Sequence, residues 1–391
     1  MCRLRIGWIV LAALVALGAI AVGAGATDIT SSVSWNTKTV SQPVNIKSGG
    51  VLTIGTGTVT VKDSVHIAVE EGGKLILKPG AKLRFEAGSG ITVKNGGTLD
   101  CAGTSANRIT FEGTQTGSAQ LAKTWRGIAL NDGATVAGSC IAYATISDAE
   151  VGLQVTTTDL LVIEHCAIRS CVGRRGDIPD NKIQKYDVRT GLLIDGGCVF
   201  VNHCTVENCT WGIHVVQGLD LQAGKPSSRG VGIAHCTIQN CNQAAPNLTR
   251  PGNAVVKMDP PRGIHIFEAK VVVTFCRILA NTFGMEVGKS IVTIGWNVIR
   301  NSTEYGILFY QCAANKRNDS HVFLRYNTVV PIKPNPSYIP YAIVLLRNSQ
   351  WTNVSLPIQS DENGKSGSET FWTDTTGNGW AEQPSWERTE D

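Results

Sequence analysis

Two of the seven histidines occupy near-identical settings, Trp-Gly-Ile-His-Val at His214 and Arg-Gly-Ile-His-Ile at His265. A third segment, Phe-Gly-Met-Glu-Val, puts Glu286 in the same place. In a strand that turns its apolar residues inward, the residue between them points out. The expected outward row is therefore Gln154, Leu193, His214, His265, Glu286 and Leu308, and a second row runs Thr156, Asp195, Val216, Phe267, Gly288 and Tyr310. Imidazole titrates near neutral pH and an adjacent carboxylate tunes it, so His214, His265 and Glu286, with Asp195 one repeat earlier, are candidates for general acid/base work. The same set has the donor types of a metal site. It is also what a solvated polar face would look like.

Such a row needs a frame that repeats. Near the N-terminus, Ser-Gly-Gly-Val-Leu-Thr-Ile begins at Ser48, Glu-Gly-Gly-Lys-Leu-Ile-Leu at Glu71 and Asn-Gly-Gly-Thr-Leu-Asp-Cys at Asn95, at spacings of 23 and 24 residues. Each Gly-Gly marks a bend, and each following stretch alternates as a half-buried strand does. The middle of the chain repeats a second pattern. One column holds Cys166, Cys204, Cys236 and Cys276, with Ala144, Trp296 and Tyr326 set in it; five residues later stand Cys171, Cys209, Cys241, Asn281 and Asn301. A Gly-led strand follows, at Gly152, Gly191, Gly212, Gly263, Gly284 and Gly306. Uninterrupted, one glycine follows another after 21 or 22 residues. That length is one coil of a solenoid of short strands; there is no helical period and no leucine-rich signature. The expectation is an all-β, single-stranded parallel β-helix of about 11 coils, roughly 50 Å long at the strand spacing.

These residues resemble the right-handed parallel β-helix repeats of the pectate-lyase-like superfamily. The carriers are Cys/Asn-x-Ile-x-x-Asn/Cys…Gly-Ile-x-Val and the opening run from Gly72 to Gly113 followed by Thr124-Trp-Arg-Gly-Ile-Ala-Leu. The resemblance covers roughly residues 38–350 and implies the fold. The fold hosts lyases, hydrolases, epimerases, adhesins and structural proteins, so it does not imply one reaction. In carbohydrate-active members the outward strand face commonly holds the sugar chain, which implies a polysaccharide or cell-surface glycan as partner and points to the row of His214. The particular motifs do not carry over: there is no Asp-Asp pair with the companions typical of polygalacturonases, and no Arg-x-Pro-x-x-Arg of the classical pectate lyases.

Insertions at 172–190, 242–262 and 331–340 fall between the second column and the Gly-led strand, and those at 217–230 and 312–320 fall after it. Loops on a rigid scaffold carry function or merely tolerate length. Arg175, Lys185, Arg189 and Arg262 would supply cations to an acidic sugar, and Gln154, Phe267 and Tyr310 would line the face. Asp177, Asp180, Asp187 and Asp259 offer oxygen ligands for calcium, though no resident metal is expected. Trp211, Phe283 and Tyr305 each precede the strand glycine. They present flat faces suited to sugar rings, but strict alternation turns them inward. Inward cysteines stacked at coil spacing are read as free thiols or as inter-coil disulfides. His165, His203 and His235 each precede a cysteine and form an outward column on another face, with a transition metal as one reading.

Residues 7–22 are an unbroken apolar run after Arg3 and Arg5, ending at Ala24-Gly25-Ala26. This is the pattern of a signal peptide over residues 1–26, and it predicts a secreted, periplasmic or cell-surface protein with no membrane contact after cleavage. Residues 27–350 form the helix, and 351–391 a cap and polar tail. The 35 basic and 31 acidic residues nearly balance once Arg3 and Arg5 leave with the leader, which gives no electrostatic case for nucleic acid.

Overall fold

A computed structural model describes residues 25–114, 124–156, 159–172, 190–216, 230–243, 248–249, 255–256, 260–310, 322–325, 327–330, 341–346, 357–359 and 366–368. The chain is a right-handed parallel β-helix. Its strands stack into three long sheets of 12, 11 and 13 strands, here called sheets I, II and III. One coil shows the plan: Trp211–Val216 in sheet I, Val231–Ala234 in sheet II and Thr237–Gln239 in sheet III. Each pairs in parallel with its equivalent in the next coil, Arg262–Phe267, Lys270–Thr274 and Arg277–Leu279. The antiparallel pairs among the described residues are short, Leu248–Thr249 with Val255–Val256 and Pro357–Gln359 with Ser366–Ser368. Residues 1–24 and most of the tail lie outside the described residues, as do Arg175, Lys185, Arg189 and the four loop aspartates.

One apolar core runs the length of the coil stack, from Ile29 to Val329. Its columns come from alternation, as in His66–Val69 and Lys74–Leu77, where every second side chain is buried.

The cysteine columns line this core as free thiols. Cys204 Sγ donates to the carbonyls of Ile163 and Asn202 at 3.4 and 3.3 Å, and Cys236 and Cys276 repeat the arrangement one and two coils on. Contact with Cys204 and burial hold the Cys166 thiol well above the usual range, so that thiol stays protonated and unreactive.

Above Cys276 the column continues as an amide ladder. Asn297 Oδ1 accepts from Cys276 N at 2.9 Å, and Asn327 Oδ1 accepts from Asn297 N at 3.1 Å. This corrects the expected alignment, which put Trp296 and Tyr326 in the cysteine column. Trp296 belongs to the position before it, and Tyr326 lies outside the described residues. The second column shifts in the same way. It ends on buried Ser302, while Asn301 takes the left-handed turn position, φ 59°, that Asn208 and Asn240 hold below it.

The position before the first column is a corner between sheets II and III. Tyr143, His165, His203, His235, Phe275 and Trp296 all stand there with φ between 49° and 55°. Left-handed backbone costs L-residues about 1–2 kcal/mol. The side chains recover part of this by stacking ring on ring, at centroid spacings of 4.7, 5.1, 4.9, 5.1 and 5.4 Å.

Candidate functional site

The outward row of sheet I is in register as its spacing requires. Gln154 pairs with Leu193, Leu193 with His214, His214 with His265, His265 with Glu286, and Glu286 with Leu308. The second row is in register too, Asp195 with Val216, Val216 with Phe267, Phe267 with Gly288 and Gly288 with Tyr310.

The environment of the row differs from expectation. It is not a solvated face. His214 is fully buried, and His265, Glu286 and Arg262 are exposed by 5, 7 and 5%. The cause begins at the glycine column. A Cβ on Gly212 would stand 2.4 Å from the Gly263 carbonyl oxygen and 3.0 Å from Cys241 Sγ, so Gly212 points at the core beside Ile213. Alternation slips by one there, and the preceding residue turns outward. Trp211, Arg262, Phe283 and Tyr305, in register with one another, therefore lie on the same side as the histidine row. This corrects the inward reading of the three aromatics. Phe283, Tyr305 and Leu308 form their own apolar cluster, separate from the helix core.

The contacts are dense. The Trp211 indole meets His214 and His265 edge-on, each at 4.7 Å between centroids, and the two imidazoles are 4.7 Å apart. The Arg262 guanidinium lies 4.6 Å from the Trp211 ring centre and 5.5 Å from that of Phe283. Arg262 Nε donates to Glu286 Oε2 in a buried ion pair. Arg262 Nη1 and Trp211 Nε1 both donate to the Pro260 carbonyl, at 2.7 and 3.1 Å. The strand Arg262–Phe267 thus carries the cation that was expected on a loop. Being paired with Glu286, Arg262 is committed to the protein and is not an open site for an acidic sugar.

Burial, with the Arg262 charge adding to it, pushes the His214 pKa down to about 3. A neutral imidazole with so low a pKa is a weak base at neutral pH. The carboxyls that loss of water pushes up are others. Asp195 sits at the exposed end of Thr190–Asp195, yet partial desolvation raises it. Glu304, half-buried, is raised by burial against the opposing pull of Arg262. The sequence reading passed over Glu304; the signal available was its place immediately before Tyr305, the position that the slip turns outward.

Gln154 and Phe267 are half-buried beside this cluster, with Lys289 Nζ 5.5 Å from the Phe267 ring centre. Tyr310 follows in register. Among the described residues no group of three or more His, Cys, Asp or Glu is arranged to hold a metal ion. The His165–His203–His235 column explains itself physically: rings stacked parallel within 13° do not aim their nitrogens at one point.

No protein-family model matches the chain, and no curated protein matches it. Solved structures do. A periplasmic alginate epimerase AlgG aligns at 11% identity and TM-score 0.36, over 83% of this chain and 79% of that one. The Dettilon tailspike protein aligns at 10% identity and TM-score 0.40, over 81% and 54%. The A-module of the Azotobacter vinelandii mannuronan C-5 epimerase AlgE4 aligns at 12% identity and TM-score 0.28, over 80% and 91%. At these values the likeness assigns no activity to this chain.

Proposed function

We propose that this is an exported carbohydrate-binding protein that takes a glycan chain along the outward face of sheet I, over the coils of Trp211, Arg262 and Phe283. One observation carries the reading. A buried ion pair and two imidazoles sit outside a core that is already complete. Burying charge is costly, and replacing such a pair by apolar residues often leaves stability unchanged or better. A fold that needed only stability would leave this face partly open to water, as Asn45, His66 and Thr92 are in the N-terminal coils. Withdrawn from water, the ion pair of Arg262 and Glu286 holds a fixed position. The buried cluster fixes the face on which the accessible Phe267, Gln154 and Asp195 stand, an aromatic ring beside polar groups, the mixture that an amphipathic sugar ring requires. Asp195, Gln154 and Phe267 are its accessible rim. A lyase or hydrolase reaction on this face would draw its acid from the raised carboxyls of Asp195 or Glu304.

The test is a glycan array with neutral and acidic polysaccharides, run beside assays for unsaturated uronate and for new reducing ends. Binding by the chain from Thr27 onward, lost on Glu286→Gln together with His265→Gln in a folded variant, supports the reading. Absence of binding and turnover across the set leaves a structural or adhesive scaffold.

A further inference from the structure

The ring column at the corner of sheets II and III takes no part in the reading above. We propose that this corner is a second glycan site, which binds an anionic polysaccharide lying along the helix axis when His203 and His235 are protonated.

His165, His203 and His235 stand on successive coils, with centroids 5.1 and 4.9 Å apart and planes within 13° of parallel. Each ring's faces are covered by its neighbours, so the ring edges, where both nitrogens sit, are what solvent meets. His203 and His235 are exposed. The flanking rows are known on both sides. Towards sheet II stand Glu164, Asn202, Ala234 and Thr274; towards sheet III stand Ala167, Thr205, Thr237 and Arg277. The residues flanking His203 and His235 are thus uncharged.

Cations mark both ends. Arg108 donates to Thr145 Oγ1 at 3.1 Å and to the His165 carbonyl at 2.6 Å. Arg277 is exposed at the other end of the Thr205–Thr237 row. The acidic group in these rows is Glu164, beside His165 and in contact with the Cys140 thiol at 3.5 Å. Further out on sheet III, Arg169 pairs in register with Glu207, whose carboxylate accepts from Gln239 at 2.8 Å.

Neutral imidazoles stack comfortably. Protons on adjacent rings place like charges about 5 Å apart, so each opposes the next. A polyanion laid across the edges relieves that repulsion, and binding and protonation must then favour each other. The strip repeats once per coil, ~4.8 Å, close to the length of one sugar unit in an extended chain. The Thr205 and Thr237 hydroxyls repeat at the same spacing. A nucleic-acid strand fits less well, because bases stack on ring faces, and those faces are occupied.

The test is isothermal titration of the chain from Thr27 onward at about pH 5.5 and about pH 7.5. The probes are a uronate oligosaccharide, a sulfated oligosaccharide, neutral dextran and a single-stranded oligonucleotide. The expected result is binding of one or both anionic sugars at least about tenfold tighter at the lower pH. His203→Phe with His235→Phe keeps the stack, as Phe275 does, and should abolish this pH dependence. Glu286→Gln on the sheet I face should leave it intact, which separates failure here from failure there. Equal affinity at the two pH values, pH dependence that survives the double variant, or equal capture of dextran or oligonucleotide would overturn the proposal. Should the double variant misfold, imidazole NMR of the wild-type chain decides: the His203 titration must move up when the anionic sugar is added, and no movement overturns the proposal.

Discussion

The coils from Thr27 to Gly113 and those from Ala144 to Tyr310 share one backbone plan and treat their outer surface in opposite ways. The early coils are wet outside. Their outward side chains form inter-coil ion pairs, Lys62–Glu86 at 2.7 Å, Lys94–Glu70 at 2.8 Å and Arg84–Glu112 at 3.0 Å, with Lys62, Lys94 and Arg84 nearly half exposed. Their bends use Gly49, Gly72 and Gly96 at positive φ. The later coils put His, Asn, Phe and Trp at such bends and bury the outward face of sheet I. The difference teaches that burial of the outer face is not a demand of the fold. It is local to the coils in which the glycine slip turns Trp211, Arg262 and Phe283 outward.

The contrast breaks most sharply at the ion pairs. Arg262→Ala strands Glu286 away from water, and the expected loss is about 3–5 kcal/mol in denaturant unfolding. Lys62→Ala, at the equivalent kind of contact in the early coils, should cost about 0–1 kcal/mol.

Acid should act next most strongly, and on the later coils. His214 has a folded pKa of about 3 against 6.5 unfolded. The unfolded chain therefore binds the proton first. Stability from this group is intact above about pH 6.5, falls as the pH drops, and reaches its full loss near pH 3, of order 5 kcal/mol. His214→Phe should flatten that part of the stability–pH curve measured by thermal unfolding, and an unchanged curve would show that His214 is not held neutral.

Gly212→Ala pushes a methyl to within 2.4 Å of the Gly263 carbonyl oxygen. Backbone cannot yield cheaply there, and a loss of about 1–3 kcal/mol is expected. Circular dichroism melts check it. Cys276→Asn should be the mildest change, within about 1 kcal/mol, because it extends by one rung the amide ladder that Asn297 and Asn327 already form.

The solenoid was legible because its signal is repeated. Gly-Gly bends and alternating strands recur, and each coil restates the register of the last. The row of Gln154, His214, His265 and Glu286 followed from that register alone. What misled was alternation applied through the glycines. A strict period of two turns Trp211 and Phe283 into the core, and only the tight approach of Gly212 to Gly263 and Cys241 shows why it fails. The cysteine column was read one residue off at Trp296, where Asn297 takes the place. The ring stack and the amide ladder decide otherwise, as each needs its own kind at coil spacing. Burial of the row was not legible from local pattern, since His214, His265 and Glu286 read as polar exterior residues.

The central claim is that the covered face of sheet I holds a sugar chain. The direct measurement is the affinity of the best glycan from the array for the wild-type chain and for a folded His265→Gln, Glu286→Gln variant at neutral pH. The account predicts a loss of at least about tenfold, or 1.4 kcal/mol. Equal affinity in the two proteins would place the sugar elsewhere and contradict it.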